Sequence, residues 1–168
     1  MEFKNKKDSK LIEPFNFNFQ PSINISGGRV DVAVSPNGDT DGIDSNGIIK
    51  ITGGVVITRG PNQATACPLD ADGTITLSGG TIIVIGYAPG SSSSPGGGPG
   101  GGRGGQNFPG DMGGGSISTS LTQTQTSSAG LSSGSHTITI GSTTISYTNS
   151  YSYSGHTTVY GSGKATIK

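Results

Sequence analysis

Five of the ten acidic residues, Asp39, Asp41, Asp44, Asp70 and Asp72, fall in two short polar stretches, NGDTDGIDSNG (37–47) and LDADG (69–73). Carboxylates at this density either gather a hard cation or turn the chain. Asp and Asn turn the chain because their side chains bond nearby backbone and tolerate left-handed conformations. Calcium suits the first role, since it takes about six to eight oxygen ligands in flexible geometry. The spacing is not that of an EF-hand. Counted from Asp39, the fifth position is Ile43 and the twelfth is Lys50, where that loop needs a ligand and a Glu. The nonapeptide calcium repeat is also absent, because no GGxGxD series recurs.

A period relates the two stretches. INISGGRVDVAV (23–34), IKITGGVVITRG (49–60) and ITLSGGTIIVIG (75–86) align, and their Gly-Gly pairs begin at Gly27, Gly53 and Gly79, 26 residues apart each time. Apolar positions keep the same period: Ile23, Ile49 and Ile75; Ile25, Ile51 and Leu77; Val30, Val56 and Ile82; and Phe17, Ile43 and Leu69. Within each segment apolar residues alternate, the pattern of a strand with one buried face. In this register Asp44 lies over Asp70, and Asn46 over Asp72. With Ile43 and Leu69 inward, alternation turns all four side chains outward. Two carboxylates about 5 Å apart repel by roughly 1 kcal/mol in water, and a cation between them reverses the sign. The predicted metal ligands are therefore Asp39, Asp41, Asp44, Asn46, Asp70 and Asp72, with Asp39 and Asp41 the weaker because Gly42 interrupts the alternation. The same residues serve equally as a turn without a metal.

Fixed period and alternating strands predict an all-β fold, a right-handed parallel β-helix of about 26 residues per coil, with coils stacked at roughly 4.8 Å. A left-handed hexapeptide helix needs a coil divisible by six. A β-sandwich with similar strands is the competing architecture. The Gly-Gly pairs mark bends, where a left-handed backbone or close approach to the next coil excludes a side chain. Residues 13–86 are read as coils. Residues 87–115 are too rich in Gly, Pro and Ser to bury a core and read as a loop or linker. Residues 116–168 are strand-rich, a C-terminal cap or irregular last coils. Within them HTITIGSTTISYT (136–148) predicts a hairpin turning at Gly141-Ser142, with Ile138, Ile140, Ile145 and Tyr147 on its apolar faces.

Other chemistry is sparse. Net charge is zero, so electrostatic attraction to nucleic acid has little to act through. No apolar run reaches membrane-spanning length. The single Cys67 excludes an intramolecular disulfide, and its place before Pro68 in a bend marks it as inert. His136 and His156 lie far in sequence from the acidic stretches and carry no triad signature. GSGKAT (161–166) fails as a phosphate loop: Thr158 replaces the first Gly, and Ala165 follows the Lys. Exposed aromatic rings stack on sugars, and Tyr87, Tyr151 and Tyr153 are the candidates; YSYS puts the last two on one face of a strand. Cap packing is the alternative use of those rings.

The segment DTDGIDSNGIIKITGGVVITRGPNQATACPLDADGTITLSGG (39–80) resembles a family of bacterial carbohydrate-binding surface proteins with a pectate-lyase-like β-helix. The family's GDGIDSNG-like turn, ITGG strand, VxGP step and ALDYDG-like turn correspond here to Asp41–Gly47, Ile51–Gly54, Gly60-Pro61 and Leu69–Gly73. Ala71 stands where the family has an aromatic, and Cys67-Pro68 where it has small residues. The resemblance covers residues 23–86 and, loosely, 87–168. It implies a right-handed parallel β-helix, calcium in the Asp turns, and binding of acidic plant polysaccharide or cellulose outside the cell.

The sequence thus predicts a non-catalytic, calcium-dependent polysaccharide binder at the cell surface; with no signal peptide in MEFKNKKDSK, that reading expects a fragment lacking its leader, the alternative being an intracellular chain. Two rivals stand beside it. One is a self-assembling solenoid that forms homo-oligomers or filaments through open strand edges. The other is a uronate lyase using Arg29, Lys50 or Arg59 as base.

Overall fold

The computed structural model describes residues 20–63, 66–87 and 116–168. It is all-β, with fourteen strands in four open sheets and no helix among the described residues. The first eight strands are β1 (Ser22–Ile25), β2 (Arg29–Ala33), β3 (Ile43–Ser45), β4 (Ile48–Ile51), β5 (Val55–Arg59), β6 (Leu69–Ala71), β7 (Ile75–Leu77) and β8 (Thr81–Gly86).

These eight pair in parallel across the 26-residue period. β1, β4 and β7 align Ile23 with Ile49 and Ile49 with Ile75. β2, β5 and β8 align Val30 with Val56 and Val56 with Ile82. β3 and β6 align Ile43 with Leu69. The predicted columns are therefore real ladders, and like side chains stack on like. The fourth column's Phe17 lies outside the described residues. The second glycine of each pair is left-handed, with φ of 75° at Gly28, 86° at Gly54 and 84° at Gly80, and close approach to the preceding unit adds the second reason at the Gly53-Gly54 and Gly79-Gly80 bends.

The core has two compartments. Ile49, Ile51, Val56, Leu69, Ile75, Leu77, Ile82 and Val84 meet between the sheets of the repeating units. Ile57, Ile83, Ile85 and Val159 point the other way, into a second apolar layer. The reading of one buried face per strand is thus corrected for β5 and β8, which are buried on both. Strands covered on both sides read as near-continuous apolar runs, and IIVI (82–85) is such a run. Ile23, Ile25, Val30 and Val32, in the first unit, are only half-buried.

The C-terminal segment covers a flank as well as extending the stack. β9 (Ile117–Thr119) adds to β7 in parallel. β10 (Thr122–Thr126) and β13 (His156–Gly161) extend the sheet beyond β8, and here both pairings are antiparallel. β11 (Gly134–Ile140) and β12 (Thr143–Asn149) form the predicted hairpin, closing at Gly141-Ser142. With β14 (Ala165–Ile167) they make a three-stranded sheet. Its apolar face, Ile138, Ile140, Ile145 and Tyr147, packs on Ile57, Ile83, Ile85 and Val159. The predicted loop lies almost wholly outside the described residues.

Arg59 fixes this flank. It is 1% exposed. Its Nε donates to Asn149 Oδ1 at 2.8 Å, and its Nη1 donates to Asp31 Oδ1 at 2.5 Å and to the Val32 carbonyl at 3.2 Å. Its guanidinium lies 5.4 Å from the Tyr147 ring centroid. Burial raises the Asp31 carboxyl, but bonds and charge from Arg59 and Arg29 outweigh it and hold the group below its ordinary value.

Candidate metal centre

Parallel pairing of β3 with β6 sets Asp44 beside Asp70. The ladder extends past both ends of these strands. Upstream, the Gly42 N–H donates to the Cys67 carbonyl and the Ile43 N–H to the Pro68 carbonyl, each at 3.0 Å. A side chain at Gly42 would overlap the Pro68 carbonyl and the Thr58 hydroxyl, so glycine is what lets Asp41 approach Cys67. Asp41 Oδ1 accepts the Cys67 backbone N–H at 2.7 Å. Downstream, the Asp72 N–H donates to the Ser45 carbonyl and the Gly73 N–H to the Gly47 carbonyl, which puts Asn46 opposite Asp72.

Asp41, Cys67 and Asp70 bring one ligand atom each to within 4.8 Å of one another. Asp70 is 6% exposed, against the expected outward, solvated position, while Asp44, Asn46 and Asp72 are exposed. Asp39 is exposed and outside this group. Sequence reading set Cys67 aside, although it stands one period after Asp41; that interval was the available signal.

The electrostatics are one-sided. Burial pushes the Asp70 carboxyl up to about 6; the Ala71 N–H, donating to Asp70 Oδ1 at 2.8 Å, opposes this, and Asp41, Asp44 and Asp72 add to it. Burial, then Asp41 and Asp72, raises Asp44 as well. Every charge acting on these two groups is a carboxylate. Burial, then the charges of Asp70, Asp41 and Asp44, push the Cys67 thiol up, so it keeps its proton, which it shares with the Leu69 carbonyl at 3.4 Å. A protonated thiol is a poor metal ligand. Of the oxygen donors, Asp41 and Asp70 converge, and Asp44 and Asp72 act on Asp70 by charge; carboxylate oxygens are the donor type that hard cations take.

A pH dependence follows for the ion-free protein. Asp70 binds its proton more tightly folded than unfolded, where Asp titrates near ~4. Between that value and about 6 the native state holds more protons, so stability falls as pH rises through the window. In chelator, the melting temperature is expected to rise on acidification from neutrality to about pH 4.5, and Asp70→Asn should flatten that rise. Equal slopes in both proteins would mean that Asp70 is not the titrating group.

The other candidates separate. Tyr151 is 50% exposed, while Tyr153 is 6% exposed and donates its hydroxyl to the Val34 carbonyl at 3.0 Å. Their rings meet edge-on at 6.4 Å, in a non-strand segment rather than on a strand face. Tyr87 is half-buried. Of the proposed bases, Arg59 is buried against Asp31 and Asn149, Arg29 pairs with Asp31 at 3.0 Å, and Lys50 is exposed on β4.

Comparison of the chain with protein-family models, curated proteins and solved structures gives no match.

Proposed function

We propose that the 26-residue units are successive coils of a right-handed parallel β-helix, and that the protein binds polysaccharide non-catalytically with calcium, outside the cell. The observation that carries this reading is the cluster of Asp41, Asp44, Asp70 and Asp72, whose mutual repulsion no cation among the described residues relieves. Calcium supplies the missing positive charge and, with coordination positions to spare, a contact for a uronate carboxylate. The four aspartates hold the ion, and Gly42 gives Asp41 its approach. Tyr151 offers the exposed ring for stacking on sugar. The resemblance to carbohydrate-binding surface proteins points to acidic plant polysaccharide or cellulose as ligand.

Chelation is expected to lower both the melting temperature and retention on polygalacturonate, with calcium restoring both. Asp44→Ala and Asp70→Ala should remove most of the response. Indifference to chelator would leave the corner as a turn. Restoration by zinc but not calcium would shift the assignment to Cys67.

One observation favours assembly as a second reading. Among the described residues β1 and β2 stand at sheet edges, and their apolar residues are half-buried. Unpaired edges of this kind template pairing with another chain. Filaments in electron micrographs at rising concentration, formed without sugar or calcium, would favour assembly.

A further inference from the structure

We propose that the outward face of the β12-β11-β14 sheet binds ice, an activity independent of the calcium and polysaccharide reading. Thr139 sits between Thr144 on β12 and Thr166 on β14. In the next rows Thr137 pairs with Ser146, and Ser135 with Thr148. All of these side chains lie opposite the apolar face that packs on the core, and all are exposed or half-exposed. Their hydroxyls align across strands, with Thr139 Oγ1 3.2 Å from Thr144 Oγ1 and Ser135 Oγ 3.5 Å from Thr148 Oγ1. Lys168, which exchanges backbone bonds with Thr137, and Lys164 flank Thr166 at the two ends of β14, and Arg29 reaches the Ser146 carbonyl at 2.9 Å on the β12 edge, so the charges stand at the margins.

The result is a two-dimensional array. Side-chain positions repeat about every 6.7 Å along a strand and roughly every 5 Å between strands, with facing hydroxyls paired across β11 and β12. Threonine is β-branched and stiff at χ1, and the sheet beneath is clamped by its buried isoleucines, so the hydroxyls and methyls are held in place. A rigid, repeating face without a cavity suits a repeating solid, whereas small ligands take concave sites.

The chemistry selects which solid. A sugar hydroxyl bonded here would only replace a water, and such exchanges net little. Among the described residues this face offers no aromatic ring for stacking, because Tyr147 points inward. An anionic polymer would find only marginal charges, Lys164 and Lys168 at the ends of β14. Water already arranged in a lattice needs neither ring nor charge. It needs donors and acceptors at regular intervals, and each hydroxyl supplies one donor and two acceptor sites, with methyls filling the gaps between.

The test uses the full chain in a cooled-stage osmometer and in an ice-recrystallisation assay. The wild type should shape ice crystals, open a gap between melting and freezing, and suppress recrystallisation. Thr139→Lys and Thr144→Lys should lose all three activities, while Asn24→Lys, on exposed β1, keeps them. Circular dichroism and melting temperature confirm that each variant is folded. A wild type without hysteresis, or face variants as active as the Asn24 control, would overturn the proposal. So would variants that lose only retention on cellulose, which would give the face to a glycan.

Discussion

Gly80→Ala is expected to destabilise the protein by about 3 kcal/mol or more, while Gly28→Ala, at the equivalent bend of the first unit, should cost only about 1–2 kcal/mol. Both glycines are left-handed, so alanine meets the same backbone penalty at each, about 1–2 kcal/mol. They differ in what surrounds them. A Cβ on Gly28 meets nothing within 4 Å, whereas one on Gly80 would stand 2.5 Å from the Gly54 carbonyl oxygen and 2.8 Å from the Gly53 carbonyl carbon. Overlap with backbone cannot be relieved by a rotamer change, and crowding of this kind costs a further ~1–3 kcal/mol. Gly54 is crowded likewise by Gly27 and Gly28 and should behave as Gly80 does. Urea unfolding of the three alanine variants is the measurement. Equal losses at Gly28 and Gly80 would show that close stacking of the bends adds nothing to the backbone term.

Asp31→Ala should destabilise by about 3 kcal/mol, lowering the melting temperature by on the order of 10 °C. It strands the Arg59 guanidinium, 1% exposed, with only Asn149 Oδ1 and the Val32 carbonyl as acceptors. The lower end of the range for a broken buried pair applies because the Asp31 side chain is itself 38% exposed. Arg59→Met should cost less, since Asp31 keeps Arg29 and contact with water. Combining the two should recover part of the Asp31→Ala loss, because no buried charge then remains. Thermal unfolding of the two single variants and the double variant tests this. Additive losses would mean that Arg59 finds solvent once Asp31 is gone.

These two sites show what a sequence exposes and what it hides. The columns headed by Ile23 and Val30 were readable because parallel stacking repeats one chemical requirement at one interval. The hairpin was readable because a two-residue turn imposes local register, and Ile138 duly faces Ile145. The bond from Arg59 to Asn149 spans 90 residues and follows no period. Its only trace is a charge, Asp31, in a column otherwise filled by Ile57 and Ile83. The candidate site divides the same way. The pairing of Asp44 with Asp70 follows from the interval. The burial of Asp70 does not, because it accompanies the approach of Asp41 and Cys67, which lie in bends, and alternation says nothing about bends.

The change of strand direction at β8 also bears on how such a chain can grow. β8 accepts β5 in parallel on one edge and β13 antiparallel on the other. A duplicated unit spliced in ahead of β7 would meet parallel neighbours on both sides, and its glycine bends would nest as the existing ones do. The same unit spliced in after β8 would displace β13 and uncouple the apolar flank that the hairpin covers. In the sheet of β2, β5 and β8, gene duplication can therefore add strands only upstream of residue 86, and the antiparallel strand acts as its terminator.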